Sequence, residues 1–263
     1  MNLNYAKRIV IKVGTSTLTY ENGSVNIRVI DKLCKVISDL NNSGKEVILV
    51  SSGALGVGVG KLKLKSRPIE TKYRQAISAV GQCELMFLYD KIFSEYNNSV
   101  AQVLLTKRVV DNEITKNNVI NTINTLVEMG IIPIINENDA VSTDELEGAN
   151  FGDNDNLSAT VAKLFCADLL LILTDIDGLY DSDPRVNKNA NRISIVENID
   201  DDIKKFAGGS GSNRGTGGMI TKVMAAELAN NSGIDCCVMN GSDPYNIYSF
   251  LDGDNVGTLF KAN

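Results

Sequence analysis

Histidine is absent from the 263 residues. That excludes Ser-His-Asp hydrolysis and histidine acid–base chemistry, leaving lysine, carboxylates, amides and backbone N–H groups as the working set. Cysteine occurs at five scattered positions, Cys34, Cys83, Cys166, Cys236 and Cys237, with no CxxC pair. Nothing there builds a zinc site, and reduced, packed thiols are expected. Proline is scarce, four residues against 22 glycines, which suits glycine turns between regular elements better than a disordered or fibrous chain. No apolar run approaches the ~18 residues of a membrane span, and Met1 to Lys7 lacks a signal-peptide core. A cytoplasmic protein without membrane contact is therefore expected. The net charge of −6 has the wrong sign for a general nucleic-acid binder.

What is present is a regular alternation. Short β-branched runs read as buried strands at Ile9 to Val13, Val47 to Val50, Val100 to Leu105, Ile131 to Ile135, Leu169 to Leu173 and Cys236 to Met239. Helical spacing falls between them, at Ile27 to Leu40, Tyr73 to Tyr96, Val119 to Met129, Leu157 to Phe165 and Met219 to Asn230. Continuous apolar strands alternating with helices predict an α/β fold, a three-layer αβα sandwich around a mostly parallel sheet. Gly44, Gly130 and Gly233 stand where helices should end in a left-handed residue. We read one domain over residues 1–263, with an N-terminal lobe over about 1–165 and a C-terminal lobe over about 166–263.

Ligands of such sheets bind beyond the carboxyl ends of the strands, and the post-strand loops are unusually polar. Lys12-Val13-Gly14-Thr15-Ser16 offers a point charge, a close-approach glycine and hydroxyl donors, which suit an oligophosphate. Ser51-Ser52-Gly53-Ala54 runs into Gly56-Val57-Gly58-Val59-Gly60, small residues opening a helix toward an anion. Its GxGxG spacing, after the second strand, does not fit an NAD fingerprint. Asn136-Glu137-Asn138-Asp139 mixes amides and acids as a site for an ammonium and a carboxylate would. Gly152-Asp153-Asn154-Asp155-Asn156 carries more acids and amides than one helix cap needs, without the later residues of a calcium loop. Thr174-Asp175 ends the fifth strand, where it can bond a base or ribose. Gly215-Thr216-Gly217-Gly218-Met219-Ile220-Thr221-Lys222 joins a glycine loop to a helix start, and it is not a Walker A sequence.

Taken together and in this order, from Lys12 to about Phe260, these motifs resemble the amino acid kinase family. Within it they are most similar to the branch that phosphorylates the side-chain carboxylate of free L-glutamate with ATP and Mg²⁺, opening proline biosynthesis. The resemblance implies catalytic roles for Lys12 and Lys222, which stabilise the transferring phosphoryl group, and for Asp155, which orients them. It implies substrate contacts at Ser52, Asn136, Asp139 and Asn154. It implies ATP contacts at Lys12, Gly14, Thr174, Asp175, Thr216, Gly217, Gly218, Met219, Ile220, Thr221 and Lys222, with no dedicated metal ligands. It also implies proline as a feedback inhibitor and assembly into a dimer or tetramer. Many members of that branch continue into a PUA domain, which this chain is expected to lack. The chemistry agrees: a carboxylate acceptor with a pKa of about 4.3 is already ionised at neutral pH and needs no general base. An acid at position 139 also suits a free ammonium better than an acetylated amine. The alternatives are kinases of the same family for acetylglutamate, aspartate, carbamate or UMP, and a non-catalytic amino-acid sensor on the same fold.

Overall fold

The central strand, β1 (Arg8–Val13), sends alternate side chains to opposite faces, and both faces are apolar. A strand buried on both sides needs a helical layer on each. In the computed structural model, which describes residues 3–141, 153–208 and 218–262, the sequence supplies both. After β1 come α1 (Thr15–Leu18), α2 (Ile27–Asn42), β2 (Glu46–Ser51), α3 (Ala54–Lys61), α4 (Thr71–Ser94), β3 (Val100–Leu105), α5 (Lys107–Asp111), α6 (Glu113–Glu128) and β4 (Ile132–Glu137). Then follow α7 (Asn154–Phe165), β5 (Leu169–Thr174), β6 (Ile195–Val196), α8 (Asp201–Ala207), α9 (Met219–Asn230), β7 (Asp235–Asn240), α10 (Asn246–Asp252) and β8 (Thr258–Phe260).

Among the described residues the strands form one sheet in the order β3-β4-β2-β1-β5-β7-β8-β6. Every pairing is parallel except β7 with β8. Ile9, Ile11 and Val13 pack with α2, α3, α4 and α10 on one face. Val10 packs with α6, α7, α8 and α9 on the other. The three-layer sandwich is as expected. The chain steps from β1 to β2 on one side and returns to β5 on the other, so the strand order reverses at β1. That reversal is where open α/β sheets place their ligands.

Two expectations change. The third helix begins at Glu113, six residues before the expected start, because Asn112 caps it by accepting from the Ile114 and Thr115 N–H groups. The glycine run Gly56–Gly60 does lie in a helix, α3, as expected, but inside it rather than at its opening, where Gly53 is the N-cap. A Cβ on Gly58 would lie 2.1 Å from the Ile77 carbonyl oxygen, and one on Gly81 only 1.8 Å from that of Ala54. These glycines let α3 and α4 touch backbone to backbone. Gly44, Gly130 and Gly233 do take left-handed φ, at 91°, 72° and 75°.

Candidate active site

The alternation along β1 that puts Val10 against α7 and α9 puts Lys12 on the same face. Asp155 stands in the first turn of α7, capped by the Asp153 side chain, which accepts from the Asp155 N–H at 3.3 Å. Lys222 stands one turn into α9. The three side chains meet. Lys12 Nζ is 2.7 Å from Asp155 Oδ1, an ionic contact. Lys222 Nζ donates to Oδ2 at 3.1 Å. Asp155 is wholly buried, and Lys12 and Lys222 are only 4% and 5% exposed, so solvent does little to screen them.

Burial pushes the Asp155 carboxyl up, but the two ammoniums outweigh it and hold the group below the ordinary aspartate value. Asp153 goes the other way, raised first by burial and then by the Asp155 carboxylate. Thr221 Oγ1 lies 3.0 Å from Asp155 Oδ2, 3.3 Å from Asp153 Oδ2 and 2.8 Å from the Gly218 carbonyl, tying the two helix starts together. Asp155 thus bridges two buried ammoniums, and the Asp153 carboxyl lies near enough to interact with both.

Beside this charged cluster runs a neutral one. Asn154 Nδ2 donates to Asn136 Oδ1 at 2.8 Å and to Ser52 Oγ at 2.9 Å. Asn136 Nδ2 donates to Gln82 Oε1 at 2.9 Å. The polarity of this chain is set at one point, because the Glu137 backbone N–H can only donate and it meets Asn136 Oδ1 at 2.9 Å. Every amide downstream is then oriented. Among the described residues, Asn154 Oδ1 is left to accept and the Ser52 hydroxyl proton is left to donate. An acceptor suits an ammonium and a donor suits a carboxylate. Next to Gln82 a cavity of about 350 Å³ opens between α4 and the ends of β3 and β4, and Asp139, Asn138 and Ala54 line it.

The residues expected at the nucleotide lie along the ends of β1 and β5 and the start of α9. A Cβ on Gly14 would sit 3.5 Å from Lys12 Nζ and 3.7 Å from the Leu173 carbonyl, ordinary contact distances that place this residue directly beside the lysine. Thr174 is buried at the end of β5, and its hydroxyl donates to Asp175 Oδ1 at 3.0 Å. Gly218 is the N-cap of α9, with no side-chain cap, and Met219, Ile220 and Thr221 follow it. Thr216 and Gly217 lie outside the described residues. Sequence reasoning missed Gln82, a mid-helix residue with no motif around it.

The sequence profile of the amino acid kinase family matches residues 7–240. The chain belongs to that family. Amino acid kinases named glutamate 5-kinase are among its similar relatives. That of Clostridium perfringens is 59% identical over 99% of this chain and 97% of its own length. That of Listeria innocua is 53% identical over 99% and 95%. The fold likeness reaches wider within solved structures. UMP kinase from Bacillus anthracis superposes with a TM-score of 0.65 at 17% identity, covering 98% of this chain and 97% of its own. Isopentenyl phosphate kinase from T. acidophilum superposes with a TM-score of 0.64 at 14% identity, covering 97% and 100%. At those identities the likeness speaks for the amino acid kinase fold alone. Among the described residues, no helix is long and apolar enough to cross a membrane.

Proposed function

We propose that this protein is a glutamate 5-kinase, transferring the γ-phosphoryl group of ATP to the side-chain carboxylate of L-glutamate, the first step of proline biosynthesis in the cytoplasm. The observation that carries the reading is the buried Lys12–Asp155–Lys222 cluster, a fixed pair of ammoniums facing the neutral amide chain. The high identity to relatives of that name supports the choice of substrate.

The chemistry follows from the two halves of the site. Lys12 and Lys222 would brace the oxygens of the γ-phosphoryl group as charge develops on them, and Asp155 keeps both ammonium tips in place. The uncapped start of α9 adds backbone N–H groups and the positive end of a helix dipole. Ser52 O–H would donate to the α-carboxylate of glutamate, while Asn154 Oδ1 and Asp139 would receive its ammonium. That pose leaves the side-chain carboxylate directed at the phosphate. One of its oxygens forms the new bond to phosphorus as the bond to the β–γ bridging oxygen breaks, and ADP leaves with that electron pair. No proton has to be removed from the acceptor, so the lack of histidine costs nothing. Among the described residues, no three acids or cysteines group into a metal site. A magnesium would then come with the nucleotide, held largely by phosphates and water, and would neutralise phosphate charge.

Proline carries the same carboxylate beside an ammonium, and competition at Ser52 and Asn154 is the reading we give to feedback inhibition. The exposed Val80 and Phe87 on α4 support a homo-oligomer, which light scattering on the purified protein tests. The function itself is tested by a hydroxamate assay with ATP, Mg²⁺ and glutamate, which traps an acyl phosphate. Acetylglutamate, aspartate, carbamate and UMP, each scored by ADP release, are the comparison arms. Turnover of one of these in preference to glutamate would overturn the proposal.

A further inference from the structure

The geometry points to Gln82 as a positioning residue for the amino-acid substrate, acting through Asn136 and Asn154 rather than by touching the reacting atoms. This rests on the reading of Ser52 and Asn154 as substrate contacts. Gln82 lies in the middle of α4, an element with no post-strand motif. Yet its Oε1 accepts from Asn136 Nδ2 at 2.9 Å and is the one acceptor for that NH₂ among the described residues. Asn136 is 3% exposed, so bulk water has little access to that NH₂. The other end of the Asn136 amide is committed twice, to the Glu137 N–H and to Asn154 Nδ2.

A second observation, independent of the hydrogen bonds, shows how Gln82 reaches that far. The neighbouring Gly81 has no Cβ because one there would lie 1.8 Å from the Ala54 oxygen. The glycine draws α4 onto the start of α3, directly after Ser52 and Gly53. The same contact therefore sets the position of Gln82 and of the Ser52 backbone. Without an acceptor at position 82, the buried Asn136 NH₂ is unsatisfied, and Asn136 gains by rotating away from its present plane. Asn154 then loses the partner that turns its Oδ1 toward the substrate.

The test compares two near-isosteric variants of the full chain. Gln82→Met keeps the volume and removes the acceptor, and Gln82→Glu keeps the acceptor. The expected result is a KM for glutamate raised about tenfold in Gln82→Met, the scale of one lost buried hydrogen bond. The KM for ATP should stay within about twofold, and Gln82→Glu should stay within about threefold of the parent in both. Wild-type kinetics in Gln82→Met, equal impairment of both variants, or a parallel rise in both KM values would overturn the inference, since each is what mere packing predicts. The coupling has a second readout that needs no substrate. The side-chain NH₂ signals of Asn136 and Asn154 in ¹⁵N spectra should shift and exchange faster in Gln82→Met but not in Gln82→Glu. Unmoved signals would sink the relay. A parent protein that ignores glutamate while those signals still respond would sink the substrate reading instead.

Discussion

Replacing Asp155 by asparagine separates the two jobs of the buried carboxylate, and the structure sets the size of both effects. Lys12 and Lys222 contact opposite oxygens of one carboxylate, at 2.7 and 3.1 Å. Their ammoniums are thus within about 8 Å of each other, where two like charges repel by about 2 kcal/mol at an effective dielectric near 20. Asparagine leaves both charges buried, loses the attraction and turns an NH₂ toward one of them. Removing one partner of a buried ion pair costs about 3–5 kcal/mol. For a chain of this length that lowers Tm by roughly 10 °C, measured by calorimetry without nucleotide. The pH dependence has a definite sign. The Asp155 carboxyl titrates below its unfolded value, so its contribution is complete at neutral pH and is lost as pH falls through the folded value. The gap in stability between parent and variant should therefore persist to about pH 4 and close below it. Turnover should fall about a hundredfold, because loosened lysines no longer present fixed charge to the phosphoryl group. ATP should then recover part of the lost stability, since phosphate oxygens can replace the missing carboxylate. A variant with the parent Tm and a kcat within threefold would refute the account of the cluster.

Other perturbations divide the site differently. Lys222→Ala should retain the fold, as judged by circular dichroism, and lose activity by about three orders of magnitude in kcat, in line with losing a charge aimed at the transition state; near-normal turnover would remove Lys222 from the mechanism. Asp139→Asn should raise the KM for glutamate far more than that for ATP in steady-state assays, and equal losses would argue against a role at the ammonium. Gly81→Ala must push a methyl into the Ala54 carbonyl, so it should destabilise the protein by at least about 2 kcal/mol in urea titration. A neutral result there would mean that α3 and α4 can move apart freely.

Much of this fold is legible in the chain because the central strands are apolar on both faces, and a continuous run such as Leu169–Leu173 declares itself without periodicity. The short strands do not. Ile195–Val196 and Thr258–Phe260 are too brief to carry a pattern, and they exist because each completes the other's hydrogen bonds at the sheet edge. Helix α6 hides its first turn for a different reason. It buries Ile123 alone, so its start is set by the Asn112 cap rather than by an apolar stripe. The glycines of α3 announce a helix but not their packing role, because that role is not local. Gly58 answers to Ile77 and Gly60 to Gly23, contacts that spacing within the run cannot reveal. The lysines and Asp155 were legible through their motifs. Their convergence depends on which face of β1 position 12 occupies, and the alternation with Val10 decides that. Gln82 had no such signal, since its partner lies 54 positions away.

The two clusters explain why the acceptor can be a weak nucleophile. A carboxylate gains little by attacking a polyanion, and the first obstacle is repulsion rather than proton removal. The site meets that obstacle by separating its polarity. The end proposed for the phosphates carries two ammoniums bridged by one carboxylate, kept dry so that their field is little screened. The amino-acid end is held by amides and a hydroxyl whose orientation is fixed by a backbone N–H, and it adds no charge of its own along the Ser52–Asn154–Asn136 chain. A substrate with an ammonium and two carboxylates is then sorted by charge. In the proposed pose the ammonium would stay with the acceptors at Asn154 and Asp139, and the side-chain carboxylate would be drawn toward the lysines and the γ-phosphoryl group. Asn154 and Asp155 are consecutive residues in the first turn of α7, one serving each end. If the two residues act as proposed, a single rigid helix start would fix the distance between the two reactants, the principal contribution a protein can make to phosphoryl transfer.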